Sequence, residues 1–128
     1  MSLTNAFETS TLKYLLTTDS VTRPTAWYVG LFTSDPTDTG AAGTEVSGYA
    51  YARTAATFTV TNDTATNSAS IEFPAASGGN WGTIGWIGIM DASSGGNMII
   101  HSALTTAKAI NDGDVFRIPT GDLDVTAS

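Results

Sequence analysis

The chain has no cysteine, which excludes disulfides and thiolate metal sites and leaves stability to packing or assembly. It has a single histidine, His101, so a Ser–His–acid triad or an imidazole metal site has one centre at most around which to form. Charge is scarce as well: 13% of residues are charged, five basic against twelve acidic, for a formal net charge of −7. That balance repels phosphate backbones and argues against a nucleic-acid partner. Long apolar runs are missing; no stretch reaches the ~20 residues that span a bilayer. The opening MSLTNAFETSTLKYLLTT lacks the basic-then-apolar pattern of a secretory signal. These absences predict a soluble protein with no membrane insertion and no cofactor.

What is present is Thr, Ser, Ala and Gly in abundance, a balance natural to a β-protein with Thr-studded strands, since Thr is β-branched and fits a pleated surface. At 128 residues the chain is read as one domain, 1–128, large enough to bury roughly two thirds of its unfolded surface. The one helix is expected over about 5–16, with Asn5 as N-cap and Glu8 as its capping-box partner. At about 100° per residue, Leu3, Ala6, Phe7 and Tyr14 gather on one side and Leu12, Leu15 and Leu16 nearly opposite. A helix apolar on two sides needs two things to touch, either within its own domain or with one face on a neighbouring subunit. Phe7, Leu12, Tyr14 and Leu16 are therefore candidate interface residues.

From about residue 24 to 128 the pattern is that of short strands. AWYVGLF at 26–32 reads as a buried central strand, and 33–48 as a long surface loop rich in Asp, Pro, Gly and Thr. YAYARTAATFTV from Tyr49 reads as extended, with Tyr49, Tyr51 and Arg53 on one face, Phe58 and Val60 on another, and a bulge near Thr54–Ala56. TNDTATN at 61–67 reads as a turn, and SASIEF at 68–73 as a half-solvated strand with Ala69, Ile71 and Phe73 inward. WGTIGWIGIMD at 81–91 is apolar or bare on both faces and suggests an interior strand whose Gly82, Gly85 and Gly88 admit a close neighbour. A strand at 97–104 and short strands near 107–110, 114–118 and 122–126 follow, separated by NDGD and PTGD turns. The expected class is mainly β, an antiparallel, jelly-roll-like β-sandwich with one short N-terminal helix.

Catalytic constellations are hard to assemble from these residues. No nucleophile elbow accompanies His101, and Glu8, Glu45 and Glu72 have ordinary local explanations as helix cap, loop residue and outward strand residue. Asp112 and Asp114, with Asp122 and Asp124, could offer oxygen ligands to calcium, but EF-hand spacing is absent and such residues also build turns. SGGN at 77–80 and at 94–97 leads into strands, not helix N-termini, which disfavours phosphate binding. Trp27, Tyr28, Tyr49, Tyr51, Trp81 and Trp86 could stack on sugars or fill a core, and Trp81, beside a GGN loop, is the candidate glycan contact. Arg53, among tyrosines in a chain with so few cations, suggests a fixed salt bridge. The chain is expected not to be an enzyme.

Five stretches resemble, in the same order, a family of small bacteriophage tail fibre or minor tail proteins: AWYVGLFTSDP at 26–36, TEVSGYAYARTAATF at 44–58, NSASIEFPAA at 67–76, WGTIGWIGIMDASSGGNMI at 81–99 and SALTTAKAINDGDVFRIPTGDLDVT at 102–126. The resemblance covers nearly the whole chain. It implies a virion structural protein assembled in the host cytoplasm, a homo-oligomer for which a trimer is the first expectation, touching other virion proteins. A tail adaptor or short fibre component comes first, a capsid cement or decoration protein second, and a host-surface carbohydrate-binding module third.

Overall fold

A computed structural model describes residues 2–127. The elements in chain order are β1 (Ser2–Leu3), α1 (Asn5–Leu16), β2 (Tyr28–Phe32), β3 (Thr54–Ala55), β4 (Phe58–Thr61), β5 (Thr64–Asn67), β6 (Ile71–Glu72), β7 (Gly82–Met90), β8 (Met98–Ile110), β9 (Arg117–Ile118) and β10 (Asp124–Thr126). They form a five-stranded sheet in the order β1-β8-β7-β2-β3, a three-stranded sheet β10-β5-β4 and a two-stranded sheet β6-β9, all antiparallel. The mainly β, antiparallel class with one short helix expected from the sequence is what the protein adopts.

β7 lies between β8 and β2, the interior position its two apolar faces predict. The register sorts its neighbours onto two sides. Val29 faces Ile89 and Leu31 faces Ile87, while Gly30 faces Gly88 and Phe32 faces Trp86. Val29, Leu31 and Ile87 enter the main core with Ile71, Phe73 and Phe116, which come from or flank the two-stranded sheet. Phe32, Met90 and Met98 form a smaller cluster, joined by Tyr28 and Trp86. Between Ile84↔Lys108 and Trp86↔Ala103, β8 carries Leu104–Ala107 opposite Gly85 alone, a large bulge where the sequence suggested a break between two strands.

Four expectations are corrected. The N-cap is Thr4, not Asn5: its hydroxyl makes no cap bond and instead donates to the Met98 carbonyl at 2.7 Å, tying the helix start to the sheet. Tyr49 does not begin a strand, because Gly48, Tyr49 and Ala50 all take positive φ and a Tyr51 N–H to Gly48 carbonyl bond of 3.0 Å closes a turn. Residues 61–67 are not one turn, since the hairpin needs only Asn62 and Asp63, and Thr64–Asn67 pair back onto β4 through the β-branched alternation of TATN. Ala69 is exposed; Ile71 and Phe73 do point inward.

The loop over 33–48 is largely exposed, but Pro36 and Val46 are buried and the segment returns along β2 through the Phe32↔Glu45 bridge. That return places Glu45 beside Arg53. The result is the salt bridge the sequence suggested for that arginine.

Candidate functional site

α1 is held at its first residues and little else. The Thr4 N–H donates to the Ile99 carbonyl at 3.0 Å and the Asn5 N–H to the Asp38 carbonyl at 2.8 Å, while β1 pairs with β8 at Ile100 and His101. Beyond that anchor the helix has no buried residue. Phe7 is half-buried and, with Ser10, Tyr14 and Leu15, lines a shallow hollow against Val21 and Pro24 of the segment that leaves the helix. The remaining surface faces outward: Leu12 is 57% exposed and Leu16 77%, while Leu15 at 65% and Tyr14 at 76% stand at the rim of that hollow. The reading in which the helix is wedged inside its own domain is therefore overturned for this face. Completing the burial of these partly exposed leucines would add about 1–2 kcal/mol each that the isolated chain does not gain.

Below the helix, two adjoining hollows of 320 and 400 Å³ form one open groove between the five-stranded and three-stranded sheets. They share Val60, Ala65, Ile100 and Val125 as walls, so the floor is apolar. Val60, on the edge strand β4, is 70% exposed there. One end of the groove is bounded by Arg23 and Trp27, the other by Asn62 and Asp63 at the β4–β5 hairpin tip. The groove and the helix stripe are two extended apolar features left open to solvent.

The buried polar centre lies elsewhere and is fully committed. Arg53 Nε donates to Glu45 Oε2 and Nη2 to Glu45 Oε1, each at 2.8 Å, and Nη1 donates to the Ala92 and Gly95 carbonyls at 2.9 and 2.8 Å. Tyr51 Oη donates to Glu45 Oε2 at 2.6 Å and accepts the Leu31 N–H at 3.0 Å, where β2 has run past the end of β3. The hydrogen bond to Glu45 raises the Arg53 pKa, against partial burial, which lowers it. Burial first, and the bond to Glu45 second, push the Tyr51 phenol far above its ordinary value. The network fastens the loop before Glu45, the turn before Tyr51 and the hairpin around Gly95 to one another. Each Arg53 nitrogen and the Tyr51 hydroxyl is engaged in it.

Other candidates from the sequence fall in separate places. Trp81, the candidate glycan contact, is 5% exposed, donates its indole N–H to the Tyr49 carbonyl at 3.0 Å and meets Tyr51 edge-on at 5.3 Å. That burial leaves no ring face for a sugar, and Tyr49 is the exposed aromatic at that corner. His101 Nε2 sits 2.9 Å from Asp38 Oδ1, bracing the loop against β8. Asp112 accepts the Gly78 N–H at 3.0 Å and Asp114 the Asn111 N–H at 2.9 Å, so the first carboxylate ties two loops together and the second closes its own turn. Asp124 accepts the Thr66 hydroxyl at 2.6 Å, and no group of three or more potential ligands gathers among the described residues. The sequence missed the groove, because its walls come from strands far apart in the chain and only sheet packing brings them together.

Comparison with known proteins adds one match. A sequence model for a family described as podophage GP4 fiber I protein gp80 matches residues 2–126. No curated protein matches the chain.

Proposed function

Because this chain belongs to the podophage GP4 fiber I protein family, we propose that it is a non-enzymatic structural component of the phage virion, tail-associated as an adaptor or short fibre element. In this reading the protein assembles as a homo-oligomer in the host cytoplasm, a trimer being the first expectation, and contacts other virion proteins. The family description supports a fibre role over a capsid one.

The observation that carries the homo-oligomer is the outward stripe of α1, where Leu12, Leu15 and Leu16 stand more than half exposed on a helix with no buried residue. Isolated helices of this length are marginal in water and take their stability from packing an apolar face. An apolar stripe with nothing of its own chain over it marks a contact with another. The committed hydrogen bonding around Arg53 and the placement of Asp112 and Asp114 in turns support a structural part over a reactive one.

The test is copy number in purified particles by quantitative mass spectrometry, calibrated on the major capsid protein. Tens of copies or fewer are expected for a tail component. Hundreds would make it a capsid decoration protein, and absence from the particle would overturn the virion role.

A further inference from the structure

We propose that the Leu12–Leu16 stripe of α1 seats in the apolar groove of a second copy of this chain, so that each subunit offers a helix to one neighbour and a groove to another. The inference rests on the self-assembly reading above and names the surface that receives the helix. The two features are complementary in shape, one convex and one concave, and both are open in the single chain.

Charge fixes the direction. Glu8 lies one turn before Leu12 on the same side of α1, and Lys13 lies on the other flank of the stripe, about 7.5 Å further along the helix axis. The groove has Arg23 at one end and Asp63 at the other. A helix laid along it with Glu8 toward Arg23 and Lys13 toward Asp63 matches opposite charges at both ends, and the reversed helix sets like against like. None of these four side chains has a salt bridge within its own chain among the described residues. In a chain of net charge −7, where copies repel on average, paired ends of this kind favour one docking geometry.

The chain's own helix does not fill the groove with this stripe. It presents Thr11 to the wall, about 100° round the helix from Leu12 and about 140° from Leu16. A helix-to-groove contact joins different patches on the two partners, and such a contact builds a closed ring when its rotation closes, which fits a cyclic oligomer.

The absence of native cysteine makes cross-linking clean. A chain carrying Leu12→Cys is mixed with a size-tagged chain carrying Val60→Cys and oxidised mildly. A disulfide between the two different chains is expected, well above that formed with Thr83→Cys at the far end of β7. In parallel, Lys13→Glu and Asp63→Lys should each weaken association roughly five-fold or more, and the two combined should recover it. If sedimentation shows an oligomer but Leu12→Cys links only to itself or equally to Thr83→Cys, or the combined variant fails to recover, the groove assignment is overturned and self-assembly stands. If the unmodified chain sediments as a monomer at every concentration, self-assembly fails and the groove assignment falls with it.

Discussion

Arg53 and Glu45 meet through two parallel hydrogen bonds of 2.8 Å, with 9% of the arginine side chain and 23% of the glutamate exposed. The fork geometry is one that only a guanidinium can offer a carboxylate. Two carbonyls, of Ala92 and Gly95, also depend on Nη1. Arg53→Met should therefore cost about 3 kcal/mol, because it strands a partly buried carboxylate and two acceptors. Arg53→Lys should recover only part of this, since one ammonium cannot reach all four sites. Urea unfolding midpoints of the parent and the two variants check the order; equal midpoints for the parent and Arg53→Met would show that the pair contributes nothing net.

Tyr51 gives the alkaline limit. Its pKa is raised above the ordinary 10.0 chiefly by burial, so the folded state holds the phenolic proton where the unfolded state releases it. The contribution is fully present below about pH 10 and declines as pH rises from there toward the folded value. Stability should thus fall above about pH 10, and Tyr51→Phe should flatten that fall while lowering stability at neutral pH, because Leu31 N–H and Glu45 each lose a partner. Thermal unfolding across about pH 8 to 11 with tyrosinate absorbance reads both effects, that being the range in which tyrosine ordinarily titrates.

Asn67 is buried with all four hydrogen bonds made: Nδ2 to the Ala69 and Pro119 carbonyls at 2.9 and 3.0 Å, and Oδ1 from the Gly121 and Leu123 N–H groups at 3.1 and 2.9 Å. It pins the end of β5 to the turn that leads into β10. Asn67→Asp replaces the donor amide with oxygen facing two carbonyls and should cost about 2–4 kcal/mol. A calorimetric midpoint unchanged at neutral pH would refute this account of how the three-stranded sheet is held.

Much of this architecture is written in local pattern, and the parts that are not have a common cause. The helix over 5–16, the interior strand at 81–91 and the Thr105–Thr106 irregularity follow from spacing and composition, because each is decided by neighbours within a few residues. The turn at Tyr49 was hidden because its positive φ values fall on a tyrosine and an alanine, with the Tyr49 carbonyl held by the distant Ser77 and Trp81 donors. Of the three glycines in β7, only Gly88 has close company: a Cβ there would lie 2.6 Å from Met98 Cε and 3.1 Å from Phe32 Cε1. Phe7, Leu12, Tyr14 and Leu16 could be selected from helical periodicity, but which side stays open depends on the 17–27 segment, and the groove depends on pairing between β4, β5 and β10.

Gly43 and Gly85 separate tight loop packing from open strand. An added Cβ at Gly43 would lie 2.7 Å from the Ser34 carbonyl oxygen and 2.9 Å from Pro36 Cα, both backbone atoms that cannot swing aside. At Gly85, opposite the β8 bulge, nothing lies within 4 Å. Gly43→Ala should destabilise by about 1–3 kcal/mol and loosen the loop that carries Glu45, whereas Gly85→Ala should stay within about 0.5 kcal/mol of the parent. Hydrogen exchange at the Thr44 and Val46 amides, bonded to Ser34 Oγ and the Leu31 carbonyl, reads the loop directly.

The two sides of α1 should respond differently to the same charge. Phe7 is half-buried against Val21 and Pro24, so Phe7→Asp should release the helix from the segment that follows it and lower helical signal. Leu12 is 57% exposed and touches no core, so Leu12→Asp should leave the unfolding midpoint of the isolated chain within about 0.5 kcal/mol of the parent. Any loss it causes must then appear in association. Sedimentation and unfolding measured on the same preparations distinguish the two: a Leu12→Asp chain that unfolds early would place that side of the helix in the subunit's own packing, and one that folds fully but no longer assembles would place it between subunits.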